Sequence, residues 1–582
     1  MSRRPRNAVP PQPRAARPAP PPSAPARRWT ERVRAWHVAA GLALLHLVLS
    51  LATLDPTPNS GGDNAAYLAL ARSLLERGTY QELWDPAMRP HTQYPPAWPL
   101  LLAGAMSAGI KPWVGFKVIS ALFSAAAVAL SYLWARRAST PGVALGVAAL
   151  LAVGPGVVDL SHWELSDVPF WCFTMLALWG FGRAAEAAPA DAHEADGAAR
   201  QGRRVLQTLA VASAGVLLAY ATRSAGVPLV AAGAGWLAWR RRWRGLALFG
   251  AIVGPYALGW WLRGTMVGGG GYVGHLWHVD PYQPALGTVG LGGMIERIGR
   301  NLVEYTGDHL PYLLIGGRMT AAAWTAGVAV AVLAAAGWGM RLRRAGVPEL
   351  WLPLYVGLVL IWPAEWSAER FLLPALPMLL VCAAEVVRLA GRRIGQPALL
   401  GAGLAGVLVA AGIPRTVYEF NLSVECRQAY GPQNPYPCLP EPWQDYLNLA
   451  AAVGSRLPPD AAVLARKPTL FWAQAGRPSR PYPFSPDPDT LIAAARQAGA
   501  RFVMVDYLDN MSMMYLAPVL MQRPHAFCVV QGAGPGRATL MAIHPDAERI
   551  LNVRGRPGNE TATIGFAYCN APAPVMAQPP AP

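Results

Sequence analysis

The residues of this chain that could do chemistry are a few carboxylates and arginines, each in a short polar segment at the end of an apolar run. Asp63 stands in Gly61-Gly62-Asp63-Asn64-Ala65-Ala66-Tyr67, just after the first long apolar run. Glu164 and Asp167 share Ser161-His162-Trp163-Glu164-Leu165-Ser166-Asp167, Arg223 lies in Thr222-Arg223-Ser224, and Arg370 closes Glu365-Trp366-Ser367-Ala368-Glu369-Arg370. An arginine fork grips phosphate bidentately, and a carboxylate serves as general base or metal ligand. Gathered on one face beside an apolar helix, such a set suits an anionic lipid headgroup. Asp63, Asp167 and Glu164 are the candidate catalytic groups, and Tyr67, Tyr94, His162, Lys117, Arg223, Glu365 and Arg370 the candidate substrate contacts. Asp63, Asp167 and His162 are the candidate ligands for a divalent metal, the only cofactor considered. Taken singly, each has a plainer reading. Asp63 or Asp167 caps a helix, Arg223 and Arg370 anchor spans to headgroups, and Glu164 pairs with an arginine.

The elements that must hold these residues follow from composition. Of 582 residues 53% are hydrophobic and only 14% charged, which is too apolar for a soluble chain of this length. The net charge of +17 does not indicate nucleic acid, because the arginines come in short clusters between apolar runs, as in loops that orient membrane spans. Residues 1–34 are Pro-, Ala- and Arg-rich with almost nothing to bury, so a disordered cytoplasmic tail is expected.

The arginine clusters then fix the threading. The expected spans are Trp36–Leu54, Trp113–Trp134, Pro141–Val158, Val168–Gly182, Leu206–Tyr220, Gly226–Trp239, Leu246–Leu262, Ala321–Met340, Leu350–Pro363, Phe371–Leu389 and Ala398–Ile413. If residues 95–110 stay on the outer surface, Arg136-Arg137, Arg203-Arg204, Arg240 to Arg244, Arg341 to Arg344 and Arg392-Arg393 all fall inside. The segment opened by Asp63 carries Tyr67, Leu70, Ala71, Leu74 and Leu75 at helical spacing and is expected to lie in the interface plane. The fold class is therefore mainly α, a polytopic bundle of about 11 spans over residues 35–413 with amphipathic helices on its outer face.

Residues 414–582 alternate helical and strand-like patterns: Trp443 to Leu457 helix, Ala462 to Ala465 strand, Thr490 to Ala498 helix, Arg501 to Asp506 strand. A small α/β domain on the outer side is expected. Cys426, Cys438, Cys528 and Cys569 all lie in it, an even count that suits an oxidising compartment. The expected pairs are Cys426 with Cys438, closing a short loop, and Cys528 with Cys569, by elimination.

Four segments in order resemble the membrane glycosyltransferases of the GT-C class, in particular the protein mannosyltransferases, the lipid A aminoarabinose transferases and the related lipopolysaccharide-sugar transferases. They are Gly62-Asp63-Asn64-x-x-Tyr67 with Gly78-Thr79-Tyr80, Tyr94-Pro95-Pro96-Ala97-Trp98-Pro99, Ser166-Asp167-Val168-Pro169, and Arg370-Phe371-Leu372-Leu373-Pro374-x-x-Pro377. The resemblance covers roughly residues 36–413. It implies a polyprenyl-phosphate-linked sugar donor and inverting transfer at the outer face of the cytoplasmic membrane. It also implies Asp63 as the base on the acceptor, Asp167 as a second acidic site residue, and Arg223 and Arg370 on the phosphate. Two positions depart from the pattern: Asn64 follows Asp63 where the family often has Glu, and Lys117 stands where relatives often carry Arg.

The reading is an integral membrane hexosyl- or pentosyltransferase whose partners are the lipid-linked donor, membrane lipid and a cell-envelope acceptor (glycan, lipid or protein). The alternatives are a transporter or flippase of lipid-linked sugars, which would place its charges mid-membrane in broken helices, and a non-catalytic polysaccharide assembly protein.

Overall fold

A computed structural model describes residues 24–186, 195–268, 271–318, 320–534, 536–545 and 547. It opens with α1 (Ala24–Ala52), which begins inside the stretch expected to be disordered. The connection to the next long helix carries two helices, α2 (Asp63–Arg77) and α3 (Ala97–Ser107). With 11 residues α3 is too short to cross a membrane, since about 20 are needed. That agrees with leaving residues 95–110 on one surface.

The bundle continues through α4 (Val114–Ala138), α5 (Pro141–Val153), α6 (Pro155–Ser161), α7 (Asp167–Glu186) and α8 (Ala195–Thr222). The span expected at 141–158 is two helices bent by 59° at Gly154-Pro155, where proline removes a backbone donor and clashes with the preceding turn. Helices α7 and α8 approach closely. A β-carbon on Gly180 would fall 2.9 Å from Ala212, and one on Gly215 would fall 2.7 Å from the Ala177 nitrogen. Small residues on both faces are what permit this approach.

Beyond them come α9 (Val227–Trp239), α10 (Trp243–Val267), the short α11 (Gly271–Leu276), α12 (Leu291–Glu304) and α13 (Leu310–Ile315). The bundle ends with α14 (Ala321–Arg341), α15 (Val347–Leu360), α16 (Leu376–Arg393) and α17 (Pro397–Ala429). Every expected span coincides with a helix or the bent pair. Among the described residues six helices, α1, α4, α8, α10, α14 and α17, are long and apolar enough to cross a membrane, and the α5–α6 pair makes a seventh. Helix α17 runs on through Pro414 to Ala429, so the expected boundary at 413/414 falls inside it.

The C-terminal region is an α/β layer structure. Strands β1 (Ala462–Leu464), β2 (Ser479–Arg480), β3 (Ala500–Val505), β4 (Phe527–Gly532) and β5 (Thr539–Ile543) form one sheet in the order β2-β1-β3-β5-β4. The first three strands run parallel, and β5 pairs antiparallel with β3 and β4, with Phe502 opposite Ala542 and Val503 opposite Met541. Along β3 the pleat sends Phe502 and Met504 to one face, against α18 (Glu441–Gly454) and α19 (Pro468–Ala475). Val503 and Val505 go to the other face, against α20 (Pro488–Ala498) and α21 (Ala517–Gln522). Helices thus cover both faces. A disulfide joins Cys426 at the end of α17 to Cys438, as expected. Cys528 is also disulfide-bonded, while Cys569 lies outside the described residues.

This domain sits on the segment that carries α2 and the turn after it. Helix α19 packs against α2, Ser479 donates a backbone hydrogen bond to the Trp84 carbonyl, and Arg480 lies 3.4 Å from Asp85. As a result the N-terminal half of α2 is packed in protein on both sides. Asn64 through Ala71 are all buried, because α3 covers one side and α19 the other.

Candidate active site

Asp63 is the first residue of α2, and Gly62 at φ +96°, a left-handed conformation that favours glycine, is its cap. Two side chains from the start of α19 hold this corner. Thr469 Oγ1 donates to the Gly62 carbonyl at 2.8 Å, and Lys467 Nζ to the Gly61 carbonyl at 3.3 Å. The helix end is therefore set without the Asp63 carboxylate, which turns to other partners. Tyr94 Oη donates to Asp63 Oδ1 at 3.0 Å, and Arg370 Nη2 to Oδ2 at 3.3 Å.

Arg370 also reaches the second aspartate, with Nη1 4.0 Å from Asp167 Oδ2. Arg223 Nη1 donates to that same Oδ2 at 2.8 Å and to Ser166 Oγ at 3.0 Å. Ser166 Oγ and Tyr67 Oη share a 2.8 Å hydrogen bond. The ring of Phe371 lies 5.4 Å from the Arg223 guanidinium and 5.2 Å from that of Arg370. The four charges thus alternate along one line: Asp63, Arg370, Asp167, Arg223. Burial works against the charge on Arg370, but Asp167 and Asp63 outweigh it and hold its pKa above the usual value. Asp63 is the most open of the four, with 32% of its side chain exposed against 5% for Asp167.

Asp63, Asp167, Tyr67, Tyr94, Arg223 and Arg370 therefore come together from α2, its following loop, α7, the turn after α8 and the turn before α16. Four other candidates do not join them. Lys117 on α4 pairs with Asp55 at 3.4 Å, and His162 and Glu164 are buried beside that pair. Glu164 Oε2 accepts from the Asn59 backbone at 3.3 Å, while its Oε1 and His162 Nδ1 have no hydrogen-bond partner among the described residues. Burial pushes the Glu164 carboxyl up to about 7, against Lys117, and burial with Lys117 pulls His162 down to about 3. Asn64, next to Asp63 in the chain, donates to the Asn59 carbonyl at 2.9 Å. Glu365 pairs with Arg300 at 3.0 Å and touches neither aspartate.

The donor set does not fit a shared divalent ion. The Arg370 guanidinium spans the two aspartates, and His162 belongs to the other cluster. Among the described residues no group of three or more His, Cys, Asp or Glu could hold a metal.

Sequence reasoning missed Asp55, Ser166 as the link between Tyr67 and Arg223, and Lys467 and Thr469 from the C-terminal domain. Asp55 carried the same signal as Asp63, a carboxylate just past the first apolar run. Lys467 and Thr469 carried none, because their role depends on one domain docking on another. The sequence also gave no sign of an apolar cavity of about 240 Å³ beside the site, lined by Leu302, Tyr305, Ala334, Trp338, Tyr355 and Leu372 among others. Tyr355 joins cavity to site, donating at 2.8 Å to the carbonyl of Phe371.

No protein-family model matches the chain, and no curated protein sequence matches it. Solved structures do. ArnT from Cupriavidus metallidurans in the apo state superposes with a TM-score of 0.50 at 14% identity, over 89% of this chain and 98% of ArnT. ArnT bound to undecaprenyl phosphate gives 0.50 at 16%, over 87% and 98%. The archaeal oligosaccharyltransferase AglB from Archaeoglobus fulgidus, in complex with an inhibitory peptide and a dolichol-phosphate, gives 0.51 at 15%, over 86% and 73%. These neighbours are GT-C glycosyltransferases, and the chain has the GT-C fold.

Proposed function

We propose that this protein transfers a hexosyl or pentosyl group from a polyprenyl-phosphate-linked donor to an acceptor, with inversion, at the outer face of the cytoplasmic membrane. The observation that carries this reading is the alternating line Asp63–Arg370–Asp167–Arg223 on the GT-C fold, with an apolar cavity linked to it through Tyr355. Undecaprenyl phosphate bound to ArnT, and dolichol-phosphate bound to AglB, support a donor of the same class here.

The chemistry follows from the charges. The phosphate takes the Arg370 and Arg223 forks, and the prenyl chain takes the cavity. Asp63 accepts the proton of the acceptor hydroxyl as that oxygen bonds to the anomeric carbon. The bond from that carbon to the phosphate oxygen breaks on the opposite side, and its electron pair leaves with the lipid phosphate. The arginines stabilise the charge that develops there. Asp167 holds both guanidinium groups in register. In this reading all eleven segments cross the membrane and the C-terminal domain faces outward. External labelling of single cysteines placed at 60–90 and 420–530, with none near Arg241, is the expected pattern.

The deciding assay incubates the purified full chain with a panel of polyprenyl-phosphate sugars and follows released polyprenyl phosphate. Release from one donor class is expected. No release from any, together with movement of lipid-linked sugar across proteoliposomes, would replace the transferase with a transporter.

A further inference from the structure

The sheet of the C-terminal domain has a topological switch point. Strand β2 lies on one side of β1 and β3 on the other, and all three run parallel. In open α/β sheets ligands bind at the carboxyl ends of the strands on either side of such a point. Here those ends are Arg466-Lys467 after β1 and Asp506 after β3, and the β1 end abuts the corner that carries Asp63.

The charges at this edge are unequally matched. Arg466 is committed: it bonds Asp509 at 3.0 Å and lies over the ring of Tyr282 at 4.6 Å. Lys467 is not. Its ammonium lies 5.9 Å from the Trp443 ring and reaches the Gly61 carbonyl, but among the described residues no carboxylate lies within ion-pair distance. The charged groups facing it are Arg466, Asp63, Asp509 and Asp506. Burial and the neighbouring Arg466 pull its pKa down, while Asp63, Asp509 and Asp506 act against them without pairing with it. By contrast the cations of the two clusters beneath, Arg223, Arg370 and Lys117, each have a carboxylate.

Building on the transferase reading, we propose that the carboxyl edge of β1 and β3 is an acceptor subsite in which Lys467 binds an oxyanion, a phosphate or carboxylate carried by the acceptor. The acceptor is then an acidic molecule whose hydroxyl reaches Asp63 while its oxyanion rests on Lys467. A lysine suits this role as a compact, rotatable point charge that accepts either oxyanion without a fixed fork geometry.

The sequence supplies its own test, because Lys111, Lys117 and Lys467 are the only lysines. The full chain in lipid nanodiscs is pulsed with an amine-acylating reagent, and modification at each lysine is read by peptide mass spectrometry. Exposed Lys111 serves as internal reference. Inorganic phosphate and glucuronate, each in the millimolar range, are expected to slow acylation of Lys467 at least fivefold and leave Lys111 unchanged. Undecaprenyl phosphate is expected to leave Lys467 labelling as it was. No protection by phosphate or glucuronate overturns the subsite. Protection of Lys467 by undecaprenyl phosphate assigns it to the donor and overturns the acceptor role. Binding of undecaprenyl phosphate by the same sample, and its loss in Arg370→Gln, tests the transferase reading separately.

Discussion

Asp63→Asn separates chemistry from architecture at this site. The substitution keeps the size of the side chain and its acceptor for Tyr94 and removes the charge that takes the proton. Its structural cost is small. Gly62, not Asp63, caps α2, and the corner is held by Thr469 and Lys467. The ion pair that is lost, at 3.3 Å to Arg370, is one-third exposed on the aspartate side; such pairs contribute about 1 kcal/mol or less. Arg370 keeps Asp167 as a partner. Removing a general base costs roughly a hundred- to ten-thousand-fold in rate, or about 3 to 5 kcal/mol of barrier at about 1.4 kcal/mol per tenfold. The kinetic loss therefore exceeds the structural one severalfold. The assay is release of polyprenyl phosphate by protein matched to the parent in melting temperature, with undecaprenyl phosphate binding measured in parallel. Turnover near zero with lipid binding within twofold is expected. Turnover within a factor of three of the parent would take Asp63 out of the reaction.

Arg370→Lys and Arg223→Lys keep the charge but lose the planar fork, so each should weaken undecaprenyl phosphate binding about tenfold or more at unchanged fold; binding equal to the parent in both would make these arginines anchors only. Ala334→Trp fills the apolar cavity. It should abolish use of long-chain donors while a water-soluble short-prenyl donor is still cleaved, and equal loss of both would show that the cavity does not hold the chain. Glu164, held up to about 7 from an ordinary 4.5, binds its proton more tightly in the folded than the unfolded state. Its contribution to stability is therefore full below about 4.5 and lost as pH rises through about 7, a change of roughly 3 kcal/mol. Glu164→Gln should melt higher than the parent at pH 8 and level with it at pH 4; a difference that does not vary with pH would refute the shift.

The bundle was legible because its helices follow apolar runs separated by polar, arginine-bearing segments, and that pattern depends only on local composition. The bend at Gly154-Pro155 and the run of α17 past 413 were not, since packing decides how far a helix continues. In the C-terminal domain Arg501 to Asp506 announced a strand, and β3 runs Ala500–Val505. The two-residue β2 and the β4–β5 hairpin are too short or too mixed to show a period. At the site, Asp63, Asp167, Arg223 and Arg370 stood out as charges at the ends of apolar runs, and the fold brings all four together. Lys117, His162 and Glu164 stood out in the same way, yet they form a buried cluster of their own around Asp55. Sequence marks which polar residues sit near the surface of a bundle but not which share a pocket, because that depends on how helices far apart in the chain are laid side by side.

Arg370 divides its single positive charge between two carboxylates, and that makes the resting site an interlock. While the guanidinium leans on Asp63, one oxygen of that carboxylate is engaged. On the proposed transferase reading, a lipid phosphate arriving at Arg370 would draw the guanidinium towards itself and free that oxygen for the incoming hydroxyl. The trigger is thus cocked by the loading of the donor, and water or a stray alcohol at an unloaded site meets a safety catch.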